Sequence, residues 1–494
     1  MMFRRPPPTQ IPPPSINMCV AGSPTSGGKE VHDVKELKAL LGKLVGQLEA
    51  VAQYADALYI ENRSLVFEKD RTGISTRSGA DAGVKIRAFD GLQYHEVCIA
   101  GWQPTLLQQE VQTLIARLKS KPAGKAITLK VERDIKEKDF TTEPVIDPAA
   151  VPVEEKTAAI TKAYDQVMAH SAEFINCEVV YKEKEERRVF VNRYKKLSSK
   201  WTGCNFIIVP FVQTNDGQTR YDYFNQFRHG FEVAKIDQVK LKEFLGRALK
   251  VKHAGRITPG KYTSVLSPNV TGLLAHESFG HGMESDMIMR GRAKAEEFLG
   301  KRIATAKVSI CDDPSLRDTH GSLFFDDEGV LPARTFMVRN GMVTAPITES
   351  YSASKRGFAR TANGRTESYD HKSYARMTNT FFLPGKDDVK TMIKGVKNGL
   401  YLHHAGSGME DPKGWGVQIA GVLCERIKNG KLTGELIYEA TLTGYLPRIL
   451  GNIAAVSKDF SICDDAGYCS KGHKEVVRVS SGGPHLLIKE LDLS

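Results

Sequence analysis

The stretch Leu274-Ala275-His276-Glu277-Ser278-Phe279-Gly280-His281-Gly282 restricts the backbone more than any other part of this sequence. Two histidines bracket a glutamate with the spacing His-Glu-x-x-x-His, one residue longer than the familiar metal-binding pattern on a helix. At about 100° per residue, side chains five apart on a regular helix point roughly 140° away from each other and cannot share an ion. A helix widened by one residue, a π-bulge, returns them to one side, and such bulges favour functional sites. Ser267 is suited to cap a helix and Pro268 to begin it. Gly280 lowers the cost of a distortion. The spacing therefore predicts a helix from Pro268 with a bulged or broken last turn at Ser278–His281.

Imidazoles are good zinc ligands, and a carboxylate beside them can act as a general base toward water. His276 and His281 are read as two metal ligands and Glu277 as the base. A catalytic zinc site takes three protein ligands. Spacing alone leaves the third open among Cys463, Cys469, His403, His404, His473, His485, Glu284 and Asp286.

A chain of 494 residues exceeds one ordinary core, so at least two domains are expected. Val34, Leu37, Leu41, Leu44 and Leu48 recur at helical spacing within a helix predicted over Val31–Ala52. Five short alternating segments between Ala55 and Ala100 read as an antiparallel meander. Helices follow at Thr105–Ser120, Val153–Phe174 and Lys235–Val251, and Asp139–Pro152 reads as a loop. Strands are expected between Cys177 and Phe224, the longest holding Phe206–Val212; Pro210 argues against a fully paired central position. After the motif strands dominate, and Asn340-Gly341 and Asn429-Gly430 are hairpin turns. The fold class is α+β. A Pro-rich tail over 1–28 is expected to be disordered, an N-terminal α/β domain with the meander to occupy 29–235, and a C-terminal, mainly antiparallel β domain carrying the metal-site helix to occupy 236–494.

The net charge of +11 permits nucleic-acid contact, but basic and acidic residues alternate, as in Lys182–Arg188, which is the pattern of a solvated face. Nucleic-acid binding is not expected as the main role. No apolar run approaches the roughly 18 residues of a membrane span. The opening residues show no apolar segment of the kind a secretory signal carries, and 8 cysteines in so long a chain do not make a disulfide framework. The expectation is a cytoplasmic protein with reduced thiols.

Five ordered segments together resemble the TldD/PmbA metallopeptidases, and within them the TldD branch. They are His276–Asp286; Gly321-Ser322-Leu323-Phe324-Phe325-Asp326-Asp327-Glu328-Gly329; Asn363-Gly364-Arg365-Thr366-Glu367-Ser368; Arg376-Met377-Thr378-Asn379-Thr380; and the Cys469-Ser470-Lys471 loop. The resemblance implies a zinc-dependent peptidase acting on short or unfolded polypeptides. In it His276, His281 and Cys469 would bind Zn2+ and Glu277 would be the base. It also implies a homodimer, or a heterodimer with a sister subunit lacking the metal motif. Where the family usually continues Gly-Lys-x-Gly-Gln after the cysteine, this chain reads Ser-Lys-Gly-His. His473 thereby joins His403, His404 and Arg376 as a candidate oxyanion donor. Arg365 and Asn379 are candidate substrate contacts.

Overall fold

The computed structural model describes residues 32–119, 126–463, 467–472 and 474–494. The Pro-rich segment 1–28 and His473 lie outside the described residues.

Long alternating runs in the first half make an eight-stranded sheet: β1 Tyr54–Asp70, β2 Gly73–Phe89, β3 Tyr94–Ala100, β4 Lys136–Thr141, β5 Phe174–Asn192, β6 Lys195–Gln213, β7 Thr219–Tyr221 and β8 Phe224–Arg228. Its order is β3-β2-β1-β5-β6-β4, with β7 and β8 also paired to β6. Four of the five expected meander segments are halves of β1 and β2, which pair without interruption from Tyr54↔Phe89 to Asp70↔Gly73. Polar residues in mid-strand had broken the alternation; neighbouring strands on both sides of β1 hold it extended regardless. The expected loop after Asp139 begins inside β4, which pairs in parallel with β6. Pro210 falls between the stretches of β6 paired with β8 and with β7, so its missing N–H interrupts neither ladder.

Helices α1 Val34–Glu49 and α2 Pro104–Leu118 cover one region of this sheet, and α3 Val153–His170 and α4 Gln238–Lys250 another. Leu37, Leu41, Leu44 and Leu48 of α1 form one core with Ala57, Val84 and Val111. Ile160, Val167, Leu241 and Phe244 form a second with Phe206 and Ile208.

The second half builds a twelve-stranded sheet from β9 Gly260–Leu266, β10 Ile310–Asp312, β11 Thr335–Arg339, β12 Met342–Val343, β15 Asn379–Phe382, β16 Asn398–His404, β17 Ser407–Asp411, β18 Gly416–Lys428, β19 Lys431–Tyr445, β20 Ile453–Ile462, β21 Gly467–Lys471 and β22 Lys474–Leu493. The short pair β13 Gly364–Arg365 and β14 Tyr374–Ala375 stands apart. Pairing is antiparallel except for β15–β22 and β9–β16. Because β9 bonds to both β16 and β22, the order β22-β19-β18-β16-β9 returns to its start. Asn340-Gly341 and Asn429-Gly430 both have positive φ at both positions (50° and 79°, 49° and 77°), as a type I′ turn requires. They set the registers Arg339↔Met342 and Lys428↔Lys431.

Helix α5, Pro268–Ala275, packs on this sheet through Val270 and Leu274, which share a core with Phe279, Met337, Phe382 and Leu486. A Cβ on Gly272 would stand 2.6 Å from the Gly482 Cα of β22, so only glycine lets the helix lie this close. The two sheets meet in a small core of Leu58, Ile60, Phe190, Leu197 and Phe325. Buried ion pairs cross the same boundary: Arg478–Glu186 at 2.9 Å, Arg188–Asp327 at 3.0 Å and Arg87–Glu328 at 3.0 Å. No helix of the described residues is long and apolar enough to cross a membrane.

Candidate metal centre

Helix α5 starts as its sequence dictates. Ser267 Oγ accepts the Val270 N–H and Pro268 takes the first position, a cap that contributes about 1 kcal/mol. It does not continue as an α-helix. His276–Gly280 is a π turn in which the His281 N–H bonds to the His276 carbonyl, and a 3-10 turn, His281–Met283, follows. The widened turn brings the two imidazoles together, with ring centroids 5.4 Å apart and planes at 88°. Met377 packs directly over Gly280, where a Cβ would lie 2.8 Å from its Cε.

The third group comes from 188 residues downstream. Cys469 Sγ, on β21, lies 3.1 Å from His281 Nε2. One donor atom each from His276, His281 and Cys469 falls within 4.8 Å of the others. Donors about 2.1–2.3 Å from a tetrahedral ion stand roughly 3.4–3.6 Å apart, so these three can close on one ion with small rotations. His276 is 6% exposed and Cys469 7%.

Against burial, the charges around the cluster favour the ionised thiol and, through Cys469 and Glu284, the protonated imidazoles, so an ion taken up here must displace protons from His276 and His281. Burial alone would raise the Cys469 thiol, but His281, His276 and Arg376 outweigh it and hold the thiol well below its ordinary value. Arg376 Nη2 reaches Cys469 Sγ at 3.0 Å, its Nε reaches Glu284 Oε1 at 3.0 Å, and Nη1 donates to the Glu475 carbonyl. Glu284 Oε2 stands 3.7 Å from His281 Nδ1 and 3.0 Å from Lys471 Nζ. At this separation Glu284 acts on His281 through its charge, and a closer approach on ligation would fix the orientation and tautomer of the imidazole.

Glu277, on the same π turn, is 7% exposed. Burial raises its carboxyl above the usual range, opposed by His276 and His281 and reinforced by Cys469. Gly408 of β17 lies against it; a Cβ there would meet Glu277 Oε1 at 2.7 Å.

The remaining sequence candidates stand elsewhere. Arg376 is fully buried, behind Cys469 and Glu284. Arg365 Nη1 donates to the Met377 and Arg478 carbonyls, at 2.7 and 2.5 Å, and Asn379 Nδ2 to the Asp313 carbonyl at 2.7 Å. Both side chains are buried and brace backbone. His403 pairs with Glu425 at 3.0 Å and His404 with Asp222 at 2.7 Å. Of the other third-ligand candidates, His485 bonds to Tyr401 Oη and Asp286 to Lys471.

Sequence reasoning missed Glu410. Both its carboxylate oxygens are buried without a hydrogen-bond partner among the described residues, and burial, with Glu284 and Glu277 adding and His281 opposing, raises its carboxyl well above the usual range. A Cβ on Gly282 would meet Glu410 Oε1 at 2.8 Å and Trp415 Nε1 at 3.1 Å. Strand alternation in Ser407–Asp411 carries no sign of this.

Residues 259–494 match the PmbA/TldA metallopeptidase C-terminal domain. The chain is 28% identical over 452 residues to a metalloprotease of Methanocaldococcus jannaschii, covering 89% of this chain and 97% of that protein. It is 31% identical over 267 residues to a zinc metalloprotease TldD homolog of Saccharolobus solfataricus, covering 54% of this chain and 58% of that one. Two solved structures share the fold. A putative modulator of DNA gyrase from Bacteroides thetaiotaomicron gives a TM-score of 0.72 at 16% identity, covering 93% of this chain and 99% of that one. TldE from Thermococcus kodakarensis gives 0.71 at 14% identity, covering 92% and 100%. A donor cluster able to hold a metal, a matched C-terminal domain and similarity along nearly all of a metalloprotease agree: residues 259–494 are a PmbA/TldA metallopeptidase C-terminal domain, in a chain similar to metalloproteases along most of its length.

Proposed function

We propose that this protein is a zinc-dependent peptidase that hydrolyses peptide bonds in short or unfolded polypeptides. The observation that carries the reading is Glu277, buried on the same π turn as two imidazoles that converge with the Cys469 sulfur. Two imidazoles and a thiolate are a donor set that suits zinc, and the relative from Saccharolobus solfataricus is named a zinc metalloprotease.

His276, His281 and Cys469 would hold the ion, which supplies a Lewis acid for the peptide carbonyl and acidifies water. Glu277 takes a proton from the attacking water and returns it to the leaving amine; a carboxyl raised by burial is closer to the pKa such a shuttle requires. Glu284 and Arg376 orient the ligands. Gly408 keeps β17 close enough to wall Glu277 from solvent.

A non-catalytic partner subunit with the same fold is the competing reading, and TldE of Thermococcus kodakarensis shares the fold. The presence of Glu277 favours the enzyme, since metal binding alone needs no base there. We further propose that the protein works as a dimer with itself or with a sister subunit lacking the metal motif.

Glu277→Gln tests the reading. Zinc content should match wild type while cleavage of an unfolded peptide falls by at least 100-fold. Cleavage at the wild-type rate overturns it.

A further inference from the structure

Away from the centre just described, a second group of ligand-type side chains converges. Glu367 and His371 lie on the loop between β13 and β14, and Glu475 lies near the start of β22. One donor atom from each falls within 4.8 Å of the others. His371 Nδ1 stands 3.5 Å from a Glu367 oxygen and 3.4 Å from Glu475 Oε2.

Those separations fit hydrogen bonds poorly. A charge-assisted N–H···O bond spans about 2.7–2.9 Å. Nδ1 carries one proton at most and cannot serve two carboxylates. Glu475 is 7% exposed, and its Oε2 is buried without a hydrogen-bond partner among the described residues. A buried carboxylate oxygen left without a hydrogen-bond donor is costly. Donors about 2.1–2.2 Å from a shared octahedral ion stand roughly 3.0–3.1 Å apart at neighbouring positions, so the 3.5 and 3.4 Å separations at His371 can close on one ion with small rotations.

We propose that Glu367, His371 and Glu475 form a second divalent-cation site, distinct from the His276–His281–Cys469 cluster. One imidazole and two carboxylates without thiolate suit a harder ion than the cysteine-containing centre selects, of the Mn2+ class. Glu367 and His371 side chains are 25% and 33% exposed, so water can complete the coordination. Asp370, whose carboxylate is 4.0 Å from His371 Nε2, adds negative charge.

The ion would fasten three parts of the molecule. Glu367 also accepts the Val476 N–H at 3.0 Å, joining the loop to β22. The Glu475 carbonyl accepts from Arg376, which reaches Cys469. Lys85 of the N-terminal sheet donates to Thr366 Oγ1 at 2.9 Å and to the His371 carbonyl. Occupancy at His371 therefore steadies the pairing of β21 and β22 that presents the Cys469 sulfur.

Zinc-loaded protein titrated with Mn2+ and followed by electron paramagnetic resonance tests this. Wild type should take up one further Mn2+ per chain saturably. His371→Ala and Glu367→Gln, both at partly exposed positions, should each weaken that uptake more than 10-fold while retaining zinc. In wild type only, Mn2+ should slow amide exchange over Gly467–Lys471. Absence of saturable Mn2+ uptake by wild type, uptake unchanged in either variant, or exchange indifferent to Mn2+ would overturn the proposal.

Discussion

The guanidinium of Arg376 touches Cys469 from behind the metal cluster, Nη2 to Sγ at 3.0 Å, and holds Glu284 with its Nε at the same distance. One fully buried cation thus steadies both the sulfur and the carboxylate that backs His281. Neither anion has to be desolvated alone, which matters because an unpaired buried charge is strongly destabilising.

Arg376→Lys keeps the charge but loses the forked contact to two partners. Metal affinity, measured by competition with a chelator, should fall by roughly 10–100-fold, the usual effect of removing a group that supports a ligand. Unchanged affinity would mean that Cys469 does not depend on Arg376.

Gly408→Ala forces a methyl against Glu277, whose Oε1 would be 2.7 Å away. The carboxylate must turn aside, while the metal ligands are untouched. We expect kcat to drop at least 10-fold with zinc content intact, because a misplacement of about 1 Å costs on that scale or more. Steady-state kinetics beside metal analysis would show it.

Glu186 and Arg478 join the two sheets, each side chain 3% exposed. Burial would raise the Glu186 carboxyl, but Arg478, Lys184 and Arg188 hold it well below the usual range. A depressed folded pKa adds stability above the unfolded value of about 4.3, and that stability is lost as pH falls through the folded one. Denaturant unfolding should show wild type weakening below about pH 4, with that component absent in Glu186→Gln. At pH 7 the variant should be about 3–5 kcal/mol less stable, since it strands buried arginines.

His320 packs among Trp201, Phe227 and Tyr468, and its Nδ1 bonds the Gly467 carbonyl at 2.9 Å, two residues from Cys469. Burial first, then Arg478 and Lys184, push its pKa well below the ordinary 6.5. The unfolded chain therefore binds a proton that the folded one refuses. Stability is present above about pH 6.5 and falls by about 1.4 kcal/mol per pH unit below it. His320→Asn, which retains a donor, should flatten this dependence in unfolding curves taken from pH 7.5 to 5.5.

Features set by local chemistry were legible in the sequence. Ser267-Pro268 announced the start of α5, and the five-residue spacing of His276 and His281 required the π turn that is found. Asn-Gly pairs located two hairpins whose backbone only such residues adopt readily. Tertiary pairing was not legible. β1 and β2 run 17 residues each through polar stretches such as Asn62-Arg63-Ser64 and Thr76-Arg77-Ser78 because partners hold them, not because of their own alternation. Spacing left eight candidates for the third donor; 188 residues separate Cys469 from His281, and only the resemblance singled the cysteine out. Glu410 and Glu475 gave no local sign at all. In both, distant strands bring a buried oxygen up beside other charged groups without giving it a donor among the described residues.

The central claim is that His276, His281 and Cys469 grip one ion. Zinc X-ray absorption on protein loaded with a single equivalent of zinc tests it most directly. The account predicts one sulfur at about 2.3 Å with nitrogen or oxygen donors at about 2.0–2.1 Å, and loss of the sulfur shell in Cys469→Ser. A wild-type spectrum without sulfur, or a sulfur shell that survives Cys469→Ser, would contradict it.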